Sequence, residues 1–81
     1  MRVRILLFAI VREAAQTSEV EFELPPVATA GDAVAFIELK YPQISKYLSR
    51  CAIAVNRRYA NAESTLADGD EVAIIPPVSG G

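Results

Sequence analysis

"DGDEVAIIPP", running from Asp68 to Pro77, reads as a turn, a strand and a stop. Asp68-Gly69 is a strong turn signal, because glycine accepts positive φ at no steric cost and aspartate bonds to nearby backbone. Behind it "DEVAII" places Val72 and Ile74 on one face, which is the core face. Pro76 and Pro77 then end the strand, since proline fixes φ and has no N–H to give to a ladder. Where such a strand lies in a sheet depends on the elements that precede it.

Near the start, the spacing predicts a strand from Val3 to Val11. Val3, Ile5, Leu7, Ala9 and Val11 fall on one face and Arg2, Arg4, Leu6, Phe8 and Ile10 on the other. "VEFEL" alternates cleanly, with Val20, Phe22 and Leu24 inward and Glu21 and Glu23 outward. The link "REAAQTS" between the two runs suits an antiparallel hairpin with a loop of several residues. Thr29 offers a capping hydroxyl with Asp32 three residues on, so a helix begins there. Its buried stripe is Ala30, Ala33, Val34, Ile37 and Tyr41, Leu39 lies on the opposite face, and Pro42 stops it. "QISKYLSR" is irregular, "CAIAV" is a strand with Ile53 and Val55 inward, and "NRRYA" turns out of it through a short fourth strand.

The order is strand, strand, helix, strand, short strand, strand. A last strand that can lie between its neighbours gives a small mixed sheet with one main helix on one face. The fold class expected is α+β, in the ubiquitin-like β-grasp arrangement. A single such domain is expected over 1–81, with 76–81 as a flexible C-terminal tail.

Composition fits a packed globule: 52% of the 81 residues are hydrophobic and 22% charged, which argues against disorder. Eight basic residues against ten acidic ones, with no basic stripe, make nucleic acid an unexpected partner. Cys51 is alone, so no intrachain disulfide can form and a reducing, cytoplasmic setting is expected. The opening "MRVRILLFAIVRE" has arginines before a short apolar stretch but lacks the cleavage pattern of a leader, and no stretch suggests a membrane span.

Histidine is absent, which excludes a His-based triad or an imidazole base within the chain. Cys51 stands in phase with Ile53 and Val55, the position of a small buried hydrophobe rather than a nucleophile. Asp68, Asp70 and Glu71 cluster as turn chemistry; no metal site is expected. Gly31 stands alone before the helix, so there is no glycine-rich phosphate loop. What remains is the terminal "PPVSGG" and a docking surface beside it. Leu6, Phe8 and Ile75 are expected on the sheet face turned away from the helix, with Tyr59 close by.

"LADGDEVAIIPPVSGG", with "LLFAIVREA" near the start and "AVN" at Ala54 to Asn56, resembles the small subunits of molybdopterin synthase, which are ubiquitin-like sulfur carriers. The likeness spans essentially the whole chain; Gln16 stands where such chains often carry glycine. The resemblance implies a cycle in which an E1-like adenylyltransferase/sulfurylase uses ATP to adenylate the Gly81 carboxylate. A sulfur donor then converts it to a thiocarboxylate, leaving residue 81 as 1-thioglycine. The charged carrier docks on the synthase large subunit through Phe8, Tyr59, Ile75 and Pro76, inserts Val78, Ser79, Gly80 and Gly81, and donates sulfur to cyclic pyranopterin monophosphate. Two donations make the dithiolene of molybdopterin, the implied assembly is a heterotetramer, and no cofactor is bound by the carrier itself. The encoded Gly81 carboxylate is expected to be the substrate. Three alternatives stay open: a carrier for another thiolation pathway, a protein modifier conjugated through Gly81, and a passive binding module.

Overall fold

A computed structural model describes residues 1–77. Its five-stranded mixed sheet has the order β2-β1-β5-β3-β4. β1 (Arg2–Leu7) pairs antiparallel with β2 (Glu19–Glu23) and parallel with β5 (Glu71–Ile75). β5 also pairs antiparallel with β3 (Ala52–Val55), which forms a hairpin with β4 (Arg58–Ala60). The last strand therefore sits in the middle of the sheet, as the order of elements suggested. The turn before it is pinned to the start of β1: the backbone N–H of Arg2 donates to Asp68 Oδ1 at 2.7 Å, and Gly69 N–H donates to the Arg2 carbonyl at 2.8 Å. Gly69 has φ of +86°, a conformation in which a Cβ would be strained.

α2 (Ala30–Lys40) covers one face of the sheet. Its capping box is complete, with Asp32 N–H donating to Thr29 Oγ1 and Thr29 N–H donating to Asp32 Oδ2. Ala30, Ala33 and Ile37 are buried, Val34 and Tyr41 half-buried, and Leu39 exposed, as the spacing predicted. Val3, Ile5, Leu7, Val72 and Ile74 meet this stripe from the sheet, and Phe22 stacks on Phe36 with ring centroids 4.2 Å apart. The stretch after Pro42 is a 3-10 turn (Pro42–Ile44) leading into α3 (Ser45–Leu48), and Ile44 closes the core. The β3–β4 connection uses two left-handed residues, Asn56 (φ 50°) and Arg57 (φ 71°), the form that matches the twist of a two-residue hairpin.

One expectation is corrected. The first strand does not run to Val11, and the link to β2 is not a simple loop. β1 ends at Leu7, Phe8 stays extended, Ala9 turns to φ 51°, and α1 (Ala9–Ala15) follows. Val11 and Ala15, four residues apart, are buried from this helix, whereas Ile10 is exposed. "FAIV" satisfies both the strand and the helix period over so short a run, and "REAA" favours helix. Burial of Val11 and Ala15 on a helical face decides between them.

α1 ends on Gln16 in the left-handed region (φ 60°, ψ 32°), with its N–H donating to the Arg12 carbonyl. This is the position where glycine costs least, and a side chain there is disfavoured by roughly 1–2 kcal/mol, partly offset by the entropy glycine loses on folding. Gln16→Gly is expected to stabilise the fold by up to about 1 kcal/mol. A chemical-denaturation midpoint that falls in the variant would contradict this account of the cap.

Candidate functional site

The sheet face turned away from α2 is divided into two halves. On the first, the outward residues of β1 and β2 pair with one another: Arg2 lies 3.3 Å from Glu21 and 3.7 Å from Glu23, and Arg4 lies 3.7 Å from Glu19. Arg4 also reaches across to Glu71 on β5 at 2.8 Å, and Glu71 is the least exposed carboxylate of the set. Half-exposed pairs of this sort contribute about 0–1 kcal/mol each. Their larger effect is that this half presents charges already matched.

The second half is apolar and unmatched. Cross-strand register sets Leu6 beside Ala73, and Ala73 beside Ala54, whose other neighbour is Tyr59. The two alanines are buried beneath larger neighbours and form a floor. Phe8, Ile75, Tyr59 and Arg57 rise around it, giving an open groove of about 430 Å³. Phe8 is 40% and Tyr59 78% exposed, unusual values for aromatic rings with no protein partner. Phe8 holds its position because β1 ends one residue earlier and α1 turns away directly behind it. Arg57 reaches the rim from the left-handed hairpin turn. That turn is locked to β5 by Asn56, whose Oδ1 accepts from Glu71 N–H at 3.0 Å and whose Nδ2 donates to Asp70 at 2.9 Å.

Of the residues singled out from sequence, Phe8, Tyr59 and Ile75 meet in this groove, with Leu6. Pro76 is half-buried and lines a second groove with Ala9, Pro77, Ile10, Tyr47 and Lys46, so the two grooves meet where Phe8 joins Ala9 and Ile75 joins Pro76. Val78, Ser79, Gly80 and Gly81 lie outside the described residues. Sequence reasoning missed Ala54, Ala73, Arg57 and Ile10. Small residues at the outward phase of β3 and β5 are the signal for the floor, since two alanines facing each other across a strand pair leave a hollow. Ile10 was read beside Phe8 on the outward face of a longer strand; it is exposed, but from α1, which carries it to the second groove.

Cys51 packs against the core beside Ile53 and Val55. Its Sγ donates to the Tyr47 carbonyl at 3.3 Å, and burial pushes the thiol up from its ordinary value, away from the nucleophilic thiolate. Among the described residues no group of three His, Cys, Asp or Glu side chains is placed to hold a metal ion. No helix there is long and apolar enough to cross a membrane. The described part of the chain thus presents an apolar groove beside the end of β5, where the C-terminal segment begins.

The ThiS family profile matches residues 5–81. The molybdopterin synthase sulfur carrier subunit of Chlamydomonas reinhardtii is 41% identical over 83 aligned positions that cover 100% of both chains. Among solved structures, SAMP1 of Haloferax volcanii superposes with a TM-score of 0.92 at 29% identity over 100% of each chain. A chain from the complex of subunits 1 and 2 of the molybdopterin-converting factor of Helicobacter pylori superposes with a TM-score of 0.74 at 26% identity, again over 100% of both.

Proposed function

The chain belongs to the ThiS family, and from that membership we propose that it acts as the sulfur carrier subunit of a molybdopterin synthase. The observation that carries this reading is the full-length 41% identity to a sulfur carrier subunit. The geometry fits a carrier rather than a self-sufficient enzyme, because the apolar groove lies where β5 delivers the chain toward its Gly-Gly end.

The proposed chemistry divides between partners. A carboxylate is a poor electrophile, so an E1-like enzyme first lets the Gly81 carboxylate displace pyrophosphate from ATP, forming an acyl adenylate. A persulfide then displaces AMP to give an acyl disulfide, and attack by a thiol on the donor's sulfur breaks the S–S bond, releasing the thiocarboxylate and leaving the donor and the thiol joined as a disulfide. The large subunit receives the segment 78–81, the terminal sulfur displaces an oxygen substituent of the pterin precursor to give a thioester, and its hydrolysis leaves the sulfur on the precursor and returns the Gly81 carboxylate. Gly80 and Gly81 suit this passage because neither carries a side chain. Pro76 and Pro77 fix the direction in which the segment leaves the sheet and reduce the entropy lost on insertion. A cytoplasmic setting belongs to the same proposal, as does the heterotetrameric assembly.

Intact-mass analysis after incubation with the activating enzyme, ATP and a sulfur donor is expected to show one oxygen replaced by sulfur at the C-terminus. A second reading, conjugation of Gly81 to lysines of other proteins, is favoured by the likeness to SAMP1, a small archaeal modifier protein. Covalent adducts to lysine without any sulfur gain would sink the carrier reading in favour of that one.

Docking gives a separate expectation. Phe8 and Ile75 flank the groove with apolar surface and no partner, as interface anchors do. Phe8→Ala or Ile75→Ala is expected to weaken large-subunit binding by about 1–3 kcal/mol with a smaller effect on stability. Titration calorimetry on both variants checks it, and unchanged affinity in both would remove the groove from the interface.

A further inference from the structure

We infer that the face around the root of the C-terminal segment is built to meet an acidic protein surface, with Lys46, Arg50 and Arg57 forming a basic rim around the apolar ridge of Phe8 and Ile75. Arg57 lines the groove that holds Phe8 and Ile75, and Lys46 and Arg50 line the groove that holds their chain neighbours Ala9 and Pro76. All three are exposed, and none meets a carboxylate among the described residues. The two acidic groups lining these grooves are Glu71 and Glu13, and Glu71 is held by Arg4. Three cations therefore face one uncommitted carboxylate on a chain whose formal net charge is -2. Lys46 is kept on the groove wall, its ammonium 5.4 Å from the centroid of the Tyr47 ring.

The size of a protein interface brings this rim into play. A standard interface covers about 800 Å² on each partner, roughly a sixth of the 5062 Å² accessible here. That is more than the ridge alone supplies, so a partner seated on Phe8 and Ile75 also covers both groove walls. Placing uncompensated carboxylates there lowers the energy of the encounter, whereas placing cations there opposes it. The partner of stated chemistry is accordingly a protein surface with an apolar centre ringed by Asp and Glu side chains. The matched Arg2, Arg4 and glutamate half of the sheet offers no such attraction, so the rim also orients the approach. Charges arranged this way act mainly on the association rate, by factors of about 10 to 1000 at low salt. The apolar ridge governs dissociation.

The inference depends on the carrier reading only for its probe, the molybdopterin synthase large subunit of the same genome. Association and dissociation rates are measured by stopped flow across a salt series, since screening lengths fall from about 30 Å at 0.01 M to 3 Å at 1 M. The parent chain is expected to associate at least tenfold more slowly at the high-salt end, with a much smaller change in dissociation. Lys46→Glu/Arg57→Glu is expected to associate at least tenfold more slowly at low salt and to lose the salt dependence. Lys40→Glu/Arg58→Glu makes the same change in net charge. Lys40 ends α2, and Arg58 points to the opposite side of β4 from Tyr59, so this variant is expected to associate within about threefold of the parent. A salt-independent parent, a rim variant that associates at the parental rate, or equal slowing in both variants overturns the inference while leaving the carrier reading in place. A parent that does not bind the large subunit at all removes both.

Discussion

Gly81→Tyr is expected to abolish sulfur loading, with no thiocarboxylate detectable by intact mass and no dithiolene formed by the synthase. The proposed chemistry requires the terminal carboxylate to reach the α-phosphate of ATP inside one protein and a pterin inside another. A ring on the last residue obstructs both approaches, while a residue without a side chain obstructs neither. The effect is on chemistry and not on folding, because among the described residues the core runs from Val3 to Ile74. The melting temperature of the variant, and of a chain ending at Pro77, is expected to stay within about 4 °C of the parent. Calorimetry and mass analysis on the same samples decide the matter. A tyrosine variant that still gains sulfur removes the narrow-channel argument, and a large fall in melting temperature shows that the terminal residues support the fold.

Ile37→Ala is expected to have the largest effect on stability, about 2–5 kcal/mol. Ile37 is fully buried on α2, where the helix stripe meets the sheet, and its removal leaves a cavity that strands on one side and a helix on the other cannot readily close. A domain of this size has of order 5–10 kcal/mol in total, so the melting temperature is expected to fall by at least about 10 °C. Leu39→Ala, two residues on and exposed, is expected to change stability by no more than about 0.5 kcal/mol. Equal melting temperatures for the two variants would mean that the face assignment of α2 is wrong.

Much of this protein was legible along the chain. Alternation fixed the core faces of β1, β2, β3 and β5, Thr29 and Asp32 announced the start of α2, Asp68-Gly69 the turn, and Pro76-Pro77 the end of the last strand. These signals are local: a strand repeats every two residues, a helical stripe every three or four, and a cap or turn is complete within four. Phe8 and Ile75 were also legible as outward apolar residues, because each is out of phase with the core residues before it, Leu7 and Ile74, and Tyr59 was expected close by. The reading of Gly80 and Gly81 rests on the sequence alone, since both lie outside the described residues.

Tertiary structure decided the rest. "FAIVREA" is compatible with either period, and only the burial of Val11 and Ala15 makes it a helix that leaves Phe8 and Ile10 on the surface. Ala54 and Ala73 become the floor of a groove only because β5 enters between β1 and β3, bringing residues far apart in sequence into register. The same insertion carries Glu71 to Arg4, which matches the charges on one half of the face and leaves the other half an apolar groove with Arg57 on its rim. Periodicity tells which way a side chain points, but a neighbour across a sheet is set by pairing between strands, and that pairing is a property of the whole fold.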